Sequence, residues 1–352
     1  MIEIRLSRSP GERRVALLRD GELEGYRLER PFRPDGVGDT VRGRIVSAMP
    51  ALSGAFVALP GGETGFLPEG DTEGRRIPPE GTYLTLRVTR AAQGGKGKRV
   101  TARIPQAEGE GVIERGPDAA LRWALAHPQA VVIADDAAEV ARLRRAMAGS
   151  PRIRLGPAFD EAVEDEVGRL YDATWSLPGG GRLIFSPLPA LTAVDVDSGG
   201  ADPREVNRLA IQEFARQLRL RDLAGPILLD LAGLSVKQRA ALEPPLKAAL
   251  GPDGLTQLLG LGPLGLFEMR RARIHPPLHE MLEDRALTRG LALLRRAARE
   301  AALAPSRRLA LRASPAVIAA LEAMPEALAE FAEGAGRAIE LRPAGEEEIT
   351  DA

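Results

Sequence analysis

Residues 191–231 limit what this chain can fold into more than any other stretch. Leu191-Thr-Ala-Val-Asp-Val-Asp-Ser-Gly-Gly200 is apolar and β-branched in its first half, which reads as a buried strand. Asp195 and Asp197 stand at alternate positions, so both carboxylates fall on one face of that strand. Ser198, Gly199 and Gly200 end it. A second short apolar run, Gly225-Pro-Ile-Leu-Leu-Asp-Leu231, carries Asp230 near its end. Between the two runs, Val206, Ala210, Phe214 and Leu218 recur every four residues and predict a helix over 204–221. Strand, helix, strand predicts a crossover unit with parallel neighbouring strands. Asp195 and Asp230 then lie side by side at one sheet edge, where α/β sheets place their sites. Carboxylates brought this close are costly without a cation between them. Mg²⁺ answers that need, since it takes one or two carboxylates plus water and phosphate oxygens. The pattern points to metal-dependent phosphoryl transfer. Asp195-x-Asp197 alone would more readily describe a strand-end turn with solvated aspartates; Asp230 shifts the balance toward a metal site.

The chain's 352 residues suffice for two to four compact units. A formal net charge of −1 gives no global basic field, so any polyanion must be met by local patches. There is no cysteine, which excludes disulfides, thiol catalysis and thiolate metal sites and fits a reducing cytoplasm. No apolar run approaches the roughly 20 residues of a membrane span, and Met1-Ile-Glu-Ile-Arg-Leu6 lacks the core of a signal peptide. The expected location is cytoplasmic, with no membrane partner.

Residues 1–34 read as a β-hairpin too small for its own core, which must pair with a later segment. Residues 35–104 carry about five short strands separated by glycine turns, the pattern of a small barrel. Phe56 and Phe66 fall on one hairpin of it. From about residue 110 the pattern is α/β: a strand at 130–134 and helices at 135–147 and 159–171. A hairpin, 175–177 with 182–185, leads into the acidic strand. Residues 284–352 read as a small α+β unit in which Ser314 caps a helix opened by Pro315, ending in an acidic tail from Gly345. His127 reads as structural. His275-Pro-Pro-Leu-His279 is a poor metal site, because the prolines prevent the helix that would align its histidines.

The segments 191–198, Glu205-Val-Asn207, Phe214-Ala-Arg-Gln-Leu-Arg-Leu-Arg-Asp-Leu-Ala-Gly225 and Gly265-Leu-Phe-Glu-Met-Arg-Arg-Ala-Arg273 resemble the ribonuclease E/G family. The resemblance implies a multidomain α/β protein with a β-barrel. An S1-type OB barrel (35–104) would be inserted in a ribonuclease-H-like subdomain (1–34 and 105–172). A deoxyribonuclease-I-like catalytic subdomain (173–283) and a small α+β domain (284–352) would follow. Asp195 and Asp230 are implied as ligands of Mg²⁺, and Asp197 as a third catalytic acid. Phe56 and Phe66 match the family's stacking aromatics, and Lys96, in Gly94-Gly-Lys-Gly-Lys98, matches a lysine that contacts phosphate. Lys98, Asn207, Lys237 and Arg270 are further candidates for RNA contact, and Arg216, Arg219 and Arg271 for RNA contact or structural pairing. The implied activity is Mg²⁺-dependent cleavage of single-stranded RNA to 5′-phosphate and 3′-hydroxyl products.

The chain also departs from the family. Pro189 stands where many members have glutamate, and Asp197 where asparagine is common. Arg115 has no threonine after it, so the family's 5′-monophosphate sensor is expected to be missing. The cysteines that hold zinc between protomers are absent, so no zinc-linked oligomer is expected, only a monomer or weak homodimer. A competing class is an RNA-binding pseudo-nuclease or chaperone that kept the barrel and lost turnover. A third is a translation-associated barrel protein, against which the large acidic α/β half argues.

Overall fold

The computed structural model describes residues 1–251 and 253–352. Its contacts divide the chain into two compact units, each assembled from separated segments: residues 1–34, 119–171 and 281–352, and residues 35–118 and 172–280.

In the first unit the N-terminal segment is a three-stranded meander, Ile2–Ser9, Glu12–Arg19 and Glu22–Glu29, one strand more than the hairpin read from sequence. Its first strand pairs in parallel with Val131–Ala134, which pairs in parallel with Ile153–Leu155. The hairpin thus finds its partner in a later segment, as its small size demands. Helices Ala119–Ala126, Ala137–Ala146 and Glu161–Arg169 accompany this sheet. Residues 281–352 add helices Arg285–Leu303, Pro315–Glu322 and Pro325–Ala335 and a three-stranded sheet with a core of their own. The expected acidic tail is instead a strand: Glu348–Asp351 pairs antiparallel with Leu309–Ala313. Ile349 packs on the core while Arg312 and Arg307 take up Glu348 and Asp351. The expected Ser314 cap is also not made; Pro315 opens that helix without a side-chain bond from Ser314.

In the second unit, Thr40–Met49, Gly54–Ala58, Thr64–Pro68, Lys98–Thr101 and Tyr83–Arg90 follow one another around a closed five-stranded barrel. Closure leaves none of the five with an open edge. Val41, Ile45, Val57, Leu67, Leu86 and Val100 fill the interior, and the architecture is consistent with an OB-type barrel. The rest of the unit is a six-stranded mixed sheet in the order Thr174–Ser176, Arg182–Pro187, Thr192–Asp197, Gly225–Asp230, Phe267–Arg271, Thr256–Leu261. Helices Pro203–Leu220 and Glu243–Leu250 pack against the sheet and each other. Val206, Ala210, Phe214 and Leu218 are all buried, as the four-residue spacing predicts. Leu183, Phe185, Val194, Val196, Ile227, Leu229, Phe267 and Met269 are the sheet's buried alternates. The alternate positions between them, including Asp195, Asp230 and Arg270, stay partly or fully exposed.

The first unit is cross-linked by buried arginines. Arg14 donates to both carboxylate oxygens of Glu164, at 2.6 and 2.9 Å, and lies over the Phe159 ring at 4.6 Å. Arg299 pairs with the same carboxylate. Burial alone would raise the Glu164 pKa, but the bonds from Arg14 and Arg299 outweigh it and hold it at about 2. A depressed carboxyl pKa stabilises the fold above the unfolded value, and that stability is lost as pH falls from about 4.5 through about 2. Glu164→Gln should therefore destabilise the protein by on the order of 2–3 kcal/mol at neutral pH. The gap to wild type should close on acidification, as followed by urea melts from pH 7 to pH 3; a gap unchanged with pH would refute the assignment.

Candidate active site

The crossover predicted from residues 191–231 is present. Thr192–Asp197 and Gly225–Asp230 pair in parallel, and Asp195 is the direct register partner of Asp230. Side chains opposite one another in register point to the same face. That face is the exposed one: Asp195 is exposed and the Asp230 side chain is 47% exposed. The two carboxylates therefore stand side by side at the C-terminal ends of adjacent strands.

Partial burial, then repulsion from Asp230 and from Asp197, raises the Asp195 pKa. Asp197 goes the other way. The Gly199 backbone N–H and Arg182 hold it ionised and below its ordinary value. Arg182 donates Nε and Nη2 to Oδ2, at 3.0 and 2.8 Å. The Gly199 N–H reaches Oδ1 at 2.9 Å. Arg182 sits opposite Asp197 in the preceding hairpin, so Asp197 is already engaged on both oxygens. Asp230 accepts one bond, from Arg239 Nη1 at 2.5 Å. The same Arg239 atom donates to the Gly265 carbonyl at 2.8 Å, and Nε to the Leu234 carbonyl at 3.2 Å. Sequence reasoning missed both arginines. Arg239 had a readable signal, the Ser235-x-x-Gln238 capping box that opens its short helix.

Asn207 does not reach the surface. It is fully buried; its Nδ2 donates to the Ala232 carbonyl at 2.8 Å and its Oδ1 accepts the Ala232 N–H at 3.0 Å. The expected RNA contact is corrected to a clamp on the loop two residues after Asp230. Arg271 is likewise buried and held by Asp222 and Asp253, and Arg216 pairs with Glu213. Lys237 is exposed on the helix that carries Arg239, and Arg270 is exposed on the carboxylate face of the sheet. Pro189 lies in an exposed turn and offers no ligand atom from its side chain.

On the barrel, Phe56 and Phe66 are register partners whose rings meet edge to face, centroids 5.8 Å apart. Phe56 is 37% exposed. Gly54 makes this possible, since a Cβ there would sit 2.4 Å from the Phe66 ring. Lys96 is exposed in the turn that follows. Lys98 is not available: it is buried, and its Nζ is bound to Glu63 Oε2 at 2.5 Å, which corrects its assignment as an RNA contact.

Among the described residues, no group of three or more His, Cys, Asp or Glu is arranged to hold a metal ion. Asp195 and Asp230 form a pair. A pair with open faces fits Mg²⁺, which keeps several waters and completes its shell with substrate oxygens. His275 is not free to serve, since its Nδ1 meets Asp35 Oδ2 at 2.6 Å. Among the described residues no helix is long and apolar enough to cross a membrane.

A closed barrel and a helix-backed sheet that ends in paired carboxylates define a multidomain α/β protein with one acidic strand edge. Residues 132–274 match the model of the ribonuclease E/G family. Ribonuclease E of Escherichia coli (strain K12) is 34% identical over 161 residues, 40% of this chain and 15% of that protein. Ribonuclease E of Nostoc sp. (strain PCC 7120) is 36% identical over 141 residues, 37% of this chain and 19% of its own. Ribonuclease G of Salmonella typhimurium (strain SL1344) is 34% identical over 137 residues, 36% and 28% respectively. The matched stretch thus spans less than a third of each of these relatives.

Asn207→Ala should leave the part-buried N–H and C=O of Ala232 without their partner, at about 1–3 kcal/mol for each group left unsatisfied. Chemical denaturation should show a stability loss of about 2–3 kcal/mol. A variant as stable as wild type would show that Ala232 finds other partners and that the clamp is dispensable.

Proposed function

We propose that the protein is an endoribonuclease that cleaves single-stranded RNA with Mg²⁺ held by Asp195 and Asp230, leaving 5′-phosphate and 3′-hydroxyl ends. The observation that carries this reading is the direct register of Asp195 with Asp230 on the open face of the sheet. The finer architecture belongs to the same proposal. The first unit's sheet order, with three antiparallel strands and then two parallel to the first, supports a ribonuclease-H-like subdomain. The barrel is read as S1-type and the six-stranded sheet as deoxyribonuclease-I-like. The printed names of the relatives, ribonuclease E and ribonuclease G, support RNA as substrate.

Bound Mg²⁺ would supply charge neutralisation at the scissile phosphate and an activated water. The chain's own residues prepare the place. Arg239 fixes one oxygen of Asp230 and leaves the other for a ligand. Arg182 and the Gly199 N–H hold Asp197 as a fixed anion beside Asp195. Partial burial, then repulsion from Asp230 and Asp197, raises the Asp195 pKa, a cost that a bound cation would offset. Phe56 and Phe66 offer rings on which bases of any identity can stack, and Lys96 a charge for the backbone.

Asp195→Asn and Asp230→Asn should each abolish Mg²⁺-dependent cleavage of a labelled single-stranded RNA; Asp195→Asn should leave stability unchanged or higher because it relieves carboxylate repulsion, whereas Asp230→Asn also gives up the ion pair with Arg239. Cleavage that persists in either variant, or in wild type with EDTA, refutes the metal assignment. Phe56→Ala should weaken single-stranded RNA binding by about 1–3 kcal/mol, measured by fluorescence anisotropy. An unchanged affinity in a folded variant would place Phe56 outside the binding surface. An RNA-binding pseudo-nuclease would bind in the second assay and fail in the first even as wild type.

A further inference from the structure

The aromatic pair on the barrel is half of a longer row. Phe56 is the register partner of Phe66, Phe66 of Arg99, and Arg99 of Arg90. The row crosses four adjacent strands. It exists because of a bulge: the register shifts between Val88 and Arg90, so Arg90 faces Arg99 where an unbroken ladder would place Thr89. Bulges re-aim side chains in this way. The result sets two like charges directly opposite each other, an arrangement that is unfavourable in a sheet.

A third guanidinium joins them from the catalytic sheet. The chain leaving Phe267–Arg271 is tied to the barrel by the Ala91 N–H, which donates to the Ile274 carbonyl at 2.8 Å. This places Arg273 against the barrel's next turn, where a Cβ on Gly94 would lie 3.5 Å from Arg273 Nη1. Arg273 in turn lies across Gly225, the first residue of the Asp230 strand. Gly225 has φ +89°, and a Cβ there would come within 2.5 Å of Arg273 Nη2. Glycine is therefore required at 225 for this seat of Arg273.

The acids nearby do not balance the arginines. Asp71 accepts from Arg99 Nη2 at 3.0 Å, and Glu280 accepts the Gly94 N–H at 3.3 Å. Arg90 has only a carbonyl: its Nη2 donates to the Gly97 oxygen at 3.0 Å. Among the described residues, its buried Nε finds no partner, nor do Oε1 and Nε2 of Gln93, a residue only 6% exposed. Buried polar atoms without partners are uncommon and call for an explanation. Burial, then repulsion from Arg99 and Arg273, lowers the Arg90 pKa. Lys96 adds one more exposed cation from the Gln93–Lys96 turn.

We infer that Arg90, Arg99 and Arg273 form an anion site for the sugar-phosphate backbone of a single strand whose bases stack on Phe56 and Phe66. A phosphate there relieves the repulsion between the guanidiniums. The site sits on residues of both the barrel and the catalytic sheet. It carries the strand off the barrel onto the sheet segment that leads to Asp230. This inference rests on the proposed binding of single-stranded RNA.

The test is the salt dependence of binding of a short labelled oligouridylate to the full chain. Each lost phosphate contact should reduce the slope of log K against log salt by about 0.7. Arg90→Gln and Arg273→Gln should each flatten the slope by about that amount and weaken binding at low salt. Arg90→Lys should restore the slope, since it keeps the charge. Phe56→Ala should weaken binding and leave the slope as in wild type. An oligonucleotide with an uncharged methylphosphonate backbone should bind the arginine variants and wild type alike. Wild-type slopes in folded Arg90→Gln and Arg273→Gln, alongside weakened Phe56→Ala, would overturn the anion site and leave RNA binding standing. Absence of oligouridylate binding by wild type would overturn both. Should Arg90→Gln fail to fold, Arg273→Gln alone decides.

Discussion

The parallel pairing of Thr192–Asp197 with Gly225–Asp230 is the constraint around which the second unit is arranged. It forces Asp195 and Asp230 to the same height on adjacent strands. Two carboxylates so placed repel, and this adds to partial burial in raising the Asp195 pKa. The surroundings do not relieve that cost by neutralising both. Arg239 takes one oxygen of Asp230, and Arg182 is spent on Asp197. Among the described residues, no cation is hydrogen-bonded to Asp195. Meanwhile Asn207, on the crossover helix, fixes the loop that follows Asp230. Rigid backbone with unrelieved side-chain charge is what a pre-organised cation site requires. A surface evolved only for stability would place a lysine or arginine in the gap.

Distant segments are held together elsewhere, and by arginine. With no cysteine in the chain, segments distant in sequence are joined by buried guanidinium–carboxylate pairs. Arg14 links the N-terminal meander to the helix containing Glu164, and Arg295 links residues 281–352 to Glu12. Arg271 links the strand before Arg273 to both Asp222 and Asp253. Such pairs add little net stability over well-packed apolar residues, but removing one partner is expensive. In a discontinuous unit assembled from three segments, a packing that separates one of these pairs would leave a charge buried alone. The arginine content of the chain thus has two separate uses, buried cross-links with their acids and exposed or under-partnered groups on the barrel.

Where periodicity carried the signal, the sequence was readable. The helix over 204–221, the two acidic strands and their crossover all follow from four-residue and two-residue spacing, and so does the adjacency of Asp195 and Asp230. The hairpin aromatics were equally legible, because Phe56 and Phe66 are scarce residues on short strands. What failed was the fate of polar side chains. Asn207 and Lys98 carry groups able to meet RNA, yet Asn207 is turned inward onto Ala232 and Lys98 onto Glu63. Burial of a polar residue depends on a partner from a distant segment, which no local pattern announces. The tail from Gly345 fails for a related reason. Its acids suggest solvent, but the single Ile349 and two facing arginines turn it into a strand. The Thr89 bulge is a further case, since one inserted residue changes which side chain faces Arg99 without altering composition.

The connection between barrel and sheet has a consequence for how a strand would be measured. The Ala91–Ile274 hydrogen bond and the seat of Arg273 on Gly225 tie the barrel's outer row to the first residue of the strand that ends in Asp230. From Gly225 to Asp230 the path is one extended strand, a rigid spacer with no hinge. A single strand stacked on Phe56 and Phe66 would therefore meet the carboxylates at a distance set by a β-strand, not by a flexible linker. Fixed spacing limits the conformations that must be ordered before reaction, which is how remote binding contributes to rate. Under the proposed function it would also select position along the strand: the bond presented to Asp195 and Asp230 would be counted in nucleotides from the stacked bases, whatever their identity. Stacking on rings is tolerant of sequence, so under the proposed function register along the backbone, and not base recognition, would decide where a bound strand is cut.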